Sequence, residues 1–261
     1  MSTKRLFSSR KKKFAPPIEP DKQLTLSTFV VNIPKIIVFL VSTIAVLMVG
    51  HLLEGRFFNW LNLLTNAQLT PHLFTFDAEA NFPSLFSGVI LALASLLLAV
   101  IAMLQKTICP RYIKYWRALS WIFLYIAIDE ICSIHELLIP ILRGLFNTRG
   151  VLYFPWVIPA AILLTIFLIV FKDFILNLPP KTRSVFLLAG TVYVSGALGM
   201  EVLGGYLGDT IGFNTKAYWI VSTIEELLEM FGVVIFIYGL LSYIQSHLEE
   251  LNFSLSFKQQ K

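Results

Sequence analysis

Residues 129–136 read DEICSIHE, which puts three carboxylates and an imidazole into eight positions, with ALSWIFLYIAI before them and LLIPIL after. Carboxylates at this density serve proton transfer or cation binding, and a histidine among them can carry a proton or ligate a metal. Two further stretches repeat the pattern: GALGMEVLGG at 196–205 contributes Glu201, and IEELLEMFG at 224–232 contributes Glu225, Glu226 and Glu229. Seven of the sixteen acidic residues therefore sit in apolar surroundings, and no Lys or Arg falls in the middle of any such run.

The surroundings are those of a membrane protein. The 261 residues are 56% hydrophobic and 14% charged, with a mean hydropathy of +0.74, too apolar for a soluble domain of this length. Runs able to cross about 30 Å of hydrocarbon at ~1.5 Å per residue lie near 34–53, 84–105, 117–142, 153–172, 184–206 and 218–245. The expected fold is an all-α bundle of six continuous transmembrane helices filling 31–247, with a basic tail at 1–30 and a polar one at 248–261. No internal repeat is apparent. Assigned to alternating sides of these spans, 17 of the 21 Lys and Arg fall on the side of the N-terminus and four on the other, which predicts cytoplasmic termini.

The same distribution explains the net charge of +5, since KRLFSSRKKK sets topology and attracts anionic headgroups, and no nucleic-acid partner is implied. Some thirty polar residues before the first span argue against a cleaved signal peptide. Cys109, in an inner loop, and Cys132, within the third span, suit no disulfide framework.

At roughly 2.5–3.5 kcal/mol per central charge, seven lone carboxylates would oppose insertion by about 20 kcal/mol. They must share protons, bind cations or line water. Counting from the span ends sets Asp129, Glu130, Glu136, Glu201 and Glu225 to Glu229 in the middle to outer half of the bilayer. At 100° per residue, Asp129, Cys132, Ser133 and Glu136 share one arc, flanked by Glu130 and His135, and Ser222, Glu225, Glu226 and Glu229 share another. Gly190, Ala197, Glu201, Gly204 and Gly205 form a stripe on the fifth span where a neighbouring backbone can approach.

These faces predict one proton- or cation-binding site built from Asp129, Glu130, Ser133, His135, Glu136, Glu201, Glu225, Glu226 and Glu229. A divalent metal would take Asp129, Glu136, Glu201, Glu225 and Glu229 as ligands. Oxygen donors favour Mg²⁺, Mn²⁺ or Ca²⁺, and His135 leaves zinc or iron open. His51 and Glu54 at the outer end of the first span could extend the site. His72, Asp77 and Glu79 in the long outer connection could cover it as a lid, although a solvated loop is the plainer reading. Phe57, Phe58, Trp60, Leu61 and Leu64 predict a short interfacial helix, and Tyr112, Tyr115, Trp116, Tyr153, Trp156, Tyr218 and Trp219 read as belt aromatics without chemistry.

No H-E-x-x-H, G-x-S-x-G, P-loop or C-x-x-C occurs, and the i, i+5 spacing of Glu130 and His135 rules out the E-x-x-H of di-iron bundles. FDAEANFPSLFS at 76–87, FLYIAIDEICSIHE, GALGMEVLGG and IEELLEMFG together resemble a group of uncharacterised prokaryotic multi-pass membrane proteins, several from cyanobacteria, with DE-x4-HE and EE-x2-EM helices. The resemblance implies a bacterial plasma-membrane location and no particular activity. Three functions fit: ion-coupled movement of a small solute, metal-dependent chemistry on a lipid or isoprenoid substrate, and a non-catalytic assembly or sensor subunit. Because six helices are few for a carrier, the first also calls for a homodimer or a membrane partner subunit.

Overall fold

Backbone groups in hydrocarbon have no solvent partner, so an apolar chain must satisfy them within its own helices. The computed structural model describes residues 32–65, 72–108 and 110–259, and among them there is no β-strand. The basic tail and Cys109 lie outside the described residues. The helices are α1 (Ile33–Thr65), α2 (Phe82–Ile108), α3 (Ile113–Cys132), α4 (Leu138–Phe146), α5 (Val157–Leu176), α6 (Pro180–Val194), α7 (Glu201–Ile211) and α8 (Lys216–Gln259). A π-helical segment, Ser195–Met200, joins α6 to α7 without interruption.

Five stretches are long and apolar enough to cross a membrane: Ile33–Thr65, Phe82–Gln105, Val157–Leu176, Pro180–Ile211 and Lys216–His247. Length and composition thus describe a multi-pass membrane protein. Large apolar side chains face outward along these helices, among them Phe39 at 68% exposure and Ile169 at 70%, as lipid contact requires. The residues expected to form a separate interfacial helix, Phe57 to Leu64, continue α1 instead, which at about 50 Å is longer than the ~30 Å that a hydrocarbon core requires.

The third predicted span, 117–142, is not one helix. α3 ends at Cys132 because Ser133 takes a left-handed conformation (φ 52°, ψ 41°) and Asp129 accepts the backbone N–H of His135 at 2.9 Å. A 3₁₀ turn, His135–Leu137, then leads into α4, whose first turn tolerates Pro140 as a helix interior would not. α3 packs antiparallel along α2: Ser95 and Ser120 exchange hydrogen bonds, each hydroxyl donating to the other's carbonyl, at 2.7 and 2.9 Å. Toward the C-terminal end of α3, a Cβ on Gly88 would meet Ala127 and Ile131.

α8 is the central post, contacted by α1, α2, α6 and α7. Met230, Ile237 and Leu240 on it are completely buried. Around its lower half, Trp116, Phe174, Phe186 and Tyr243 form an aromatic core, closed by Gln105 Nε2 donating to the Tyr243 hydroxyl at 2.7 Å. Its upper half meets the π segment. There a Cβ on Gly196 would lie 2.8 Å from the Glu225 carbonyl, and one on Gly232 would lie 2.8 Å from the backbone of Tyr193. Two glycines therefore let the helices come close enough to bring Glu201 beside the acids of α8.

Candidate functional site

The acids gather at the end of the bundle opposite the aromatic core. On α7, at the exit of the π segment, the Glu201 carboxyl lies against that of Glu225 on α8. Like charges this close, with no Lys or Arg beside them, disfavour ionisation of both groups at once. Glu201 also accepts the indole N–H of Trp156 at 2.6 Å. Glu226 and Glu229, one residue and about one turn further along α8, interact electrostatically with Glu130 of α3, and Glu229 also with Glu201 and Asp129. Tyr193, on α6, faces Glu229, Glu130, Asp129 and Glu226. All of these carboxylates are half-buried.

Asp129 has a different duty. Its two oxygens accept the backbone N–H and the Nδ1–H of His135, both at 2.9 Å, so it fixes the turn and the ring together. With Nδ1 so engaged, Nε2 is the free nitrogen. The ring lies 4.7 Å from that of Trp156, which connects it to the Glu201 pair. Among the described residues, Asp129–His135 is the one ion pair, and no Lys or Arg pairs with any acid of the cluster.

The connection before α2 closes over this end. Glu54 accepts the N–H of Leu73 at 2.6 Å, the N–H of Phe74 at 3.1 Å and the Thr75 hydroxyl at 2.7 Å. His51 lies stacked between Phe76 and Trp219, at 4.7 and 4.8 Å. Its Nδ1 accepts the Phe76 N–H at 3.2 Å, so Nε2 carries the proton and donates to Thr223 Oγ1 at 3.0 Å. Held in this way, the segment delivers Asp77 to the Tyr218 hydroxyl, which donates at 2.8 Å, and Glu79 to the Ser133 hydroxyl, which donates at 2.6 Å.

Asp77 and Glu79 are exposed as residues, while their carboxyls lean against protein. That partial burial pushes both above the usual carboxylate range, against the pull of Tyr218 on Asp77 and of Ser133 on Glu79; Glu136 pushes Glu79 up as well. One ligand atom from each of Glu79, His135 and Glu136 falls within 4.8 Å of the others.

Residues 36–244 match a domain of unknown function, DUF8692. The chain belongs to the DUF8692 family. Neither curated proteins nor solved structures yield a match to it. The matched region of this DUF8692 protein holds every acid described above.

Each predicted site residue can now be placed. Glu130, Glu201, Glu225, Glu226 and Glu229 face one another inside the DUF8692 bundle, while Asp129, Ser133, His135 and Glu136 form its mouth with Glu79. The arc drawn through Asp129, Cys132, Ser133 and Glu136 fails after Cys132, which is itself exposed, because the helix ends there. Of the five expected metal ligands Asp129, Glu136, Glu201, Glu225 and Glu229, Glu136 falls in the group whose ligand atoms lie within 4.8 Å of one another, with Glu79 and His135. The glycine stripe also needs correction. A Cβ on Gly190 would meet nothing within 4 Å, whereas Gly204 lies against Tyr218 and Val221 of α8 and Gly205 against Tyr153 and Phe154; tighter approaches, to backbone, fall at Gly196 and Gly232.

His51 and Glu54 are anchors of the connection, not ligands. Trp156 and Tyr218, read as belt aromatics, are hydrogen-bond donors to acids, and Glu79 is a full member of the mouth. A signal for Glu79 was available in FDAEANFPSLFS, where two acids precede a helix whose start is capped by Asn81, with its Oδ1 accepting the Ser84 N–H at 3.0 Å.

Proposed function

We propose that this chain is a six-crossing protein of the bacterial plasma membrane that binds protons at its interior acids and uses them to drive movement of a small solute. The observation that carries this reading is the juxtaposition of the Glu201 and Glu225 carboxyls, contributed by two helices, where among the described residues no Lys or Arg pairs with either. Carboxyls inside a membrane are costly enough that a functional role is their default reading. The π segment next to Glu201 adds support, because such segments concentrate at functional sites and give the helix a second register in which to settle.

α3 serves as the sixth crossing. It is about 30 Å long and runs antiparallel beside α2, which is itself apolar enough to span. An even number of crossings agrees with the positive-inside distribution and puts both termini in the cytoplasm. The mouth at Glu79 and Glu136 then opens outward. A homodimer or a partner subunit would supply the surface that six helices lack.

The full chain, reconstituted into liposomes adsorbed on an electrode, tests the reading by pH jump. Wild-type protein is expected to give a transient current from proton uptake, and Glu201→Gln and Glu225→Gln should abolish it while keeping the elution profile in detergent. Currents of wild-type size in both variants would overturn it.

A further inference from the structure

We infer that His51 is an acid-sensitive latch: its neutral ring holds the connection before α2 in place, and a second proton on the ring releases it. The tautomer is fixed from both sides. The Phe76 N–H can only donate, so Nδ1 must accept it, at 3.2 Å. The single hydroxyl proton of Thr223 goes to the Trp219 carbonyl at 2.6 Å, so Thr223 Oγ1 must accept from Nε2–H, at 3.0 Å. A second ring proton has one place to go, Nδ1, where it would point at the Phe76 N–H. Two donors then face each other where His51 is 7% exposed and Phe76 2%. A buried donor stripped of its acceptor is destabilising. Among the packed elements the connection yields, because α1 and α8 are held by their own helical bonds.

The charged groups around the ring are few. Glu54, about one turn on along α1, acts on it electrostatically and holds Leu73, Phe74 and Thr75, so the two residues grip successive parts of one segment. From the connection, His72 lies by Thr75 and Asp77 is turned to Tyr218. From α8 come the neutral Trp219 and Thr223. Phe76 is followed by Asp77, which interacts with Glu201 and Glu226, and by Glu79, which interacts with Glu130, Glu226 and Glu229. Freeing Phe76 therefore loosens the part of the chain that lies against the interior acids. The latch needs no proton on Glu201 or Glu225, so it stands or falls apart from the function proposed above.

Hydrogen exchange of the full-length protein in detergent, corrected for the intrinsic effect of pH, tests this from about pH 8 to about pH 5, where histidine changes charge. Exchange in residues 73–76 should speed up roughly tenfold on acidification, as for loss of a hydrogen bond, while exchange around Ile237 stays slow. Trp219 fluorescence, taken as the difference between wild type and Trp219→Phe, should fall with the same midpoint, since a charged imidazole quenches an indole stacked on it. His51→Gln can still accept from Phe76 and donate to Thr223 but does not titrate, so its exchange should ignore pH. Wild-type exchange that does not respond to pH, or a response that survives His51→Gln, would overturn the latch. Should His51→Gln loosen the segment at every pH, the two wild-type midpoints decide: agreement upholds the latch and disagreement overturns it.

Discussion

The indole N–H of Trp156 donates to Glu201 Oε1 across 2.6 Å, joining the start of α5 to an acid on α7. The indole is thus a neutral donor to Glu201, whose carboxyl also lies against that of Glu225. Trp156→Phe preserves the ring and removes the donor. It should lower stability by about 0.5–1.5 kcal/mol, the net worth of a typical hydrogen bond, since this contact is only part-buried. Thermal unfolding in detergent measures this, and the pH-jump current should shift in its pH dependence. An unchanged melting temperature and an unchanged profile would show that the contact contributes neither stability nor tuning.

Helix approach at the π segment makes a sharper claim about three glycines. Gly232→Ala would drive a methyl to 2.8 Å from the Tyr193 backbone, and Gly196→Ala to 2.8 Å from the Glu225 carbonyl. Backbone cannot swing aside as a flexible side chain can, so each should cost about 1–3 kcal/mol as overpacking. Gly190→Ala meets nothing and should be neutral, or stabilising by about 0.5–1 kcal/mol through helix propensity. Chemical unfolding of the three variants in one detergent checks the order, and equal effects would refute the close approach.

The contrast among these glycines shows where sequence reading stops. Hydropathy alone marks the apolar runs, since the solvent requirement acts on every residue of a span. The cost of intramembrane charge likewise marks Glu201, Glu225 and Glu229 as residues needing neutralisation. Which glycine admits a neighbour depends on helix rotation, and the π segment inserts an extra residue that resets the phase at Glu201. The end of α3 is equally nonlocal to a hydropathy window, because one carboxyl of Asp129 turns back to cap His135. Trp156 and Tyr218 sit where belt aromatics belong. Only the tertiary position of Glu201 and Asp77 makes donors of them.

Glu54 holds the connection before α2 through three donors, two of them backbone N–H groups. A glutamine there keeps the volume but presents an NH₂ to groups that already donate, so one contact becomes a donor–donor clash. Glu54→Gln should therefore loosen residues 72–81. Hydrogen exchange in that segment should speed up while exchange in α8 stays slow. Unaltered exchange there would mean that His51 and its stacking on Phe76 suffice to hold it.

Asp77 and Glu79 give the pH dependence its sign. Burial raises both in the folded protein above the value near 4 expected for an unfolded carboxylate. Between those two values the folded state binds more protons than the unfolded one, so stability falls as pH rises through the window and levels off above it. The Tyr218 hydroxyl opposes this for Asp77 by donating to it at 2.8 Å. Tyr218→Phe removes that opposition and moves Asp77 further up, which widens the window at its upper end. Melting temperatures of wild type and Tyr218→Phe should therefore lie closest at acid pH, where Asp77 is protonated in both. The gap should grow as pH rises toward neutrality. A gap that stays constant from acid to neutral pH would mean that the hydroxyl contributes packing alone, with no charge on Asp77 for it to stabilise.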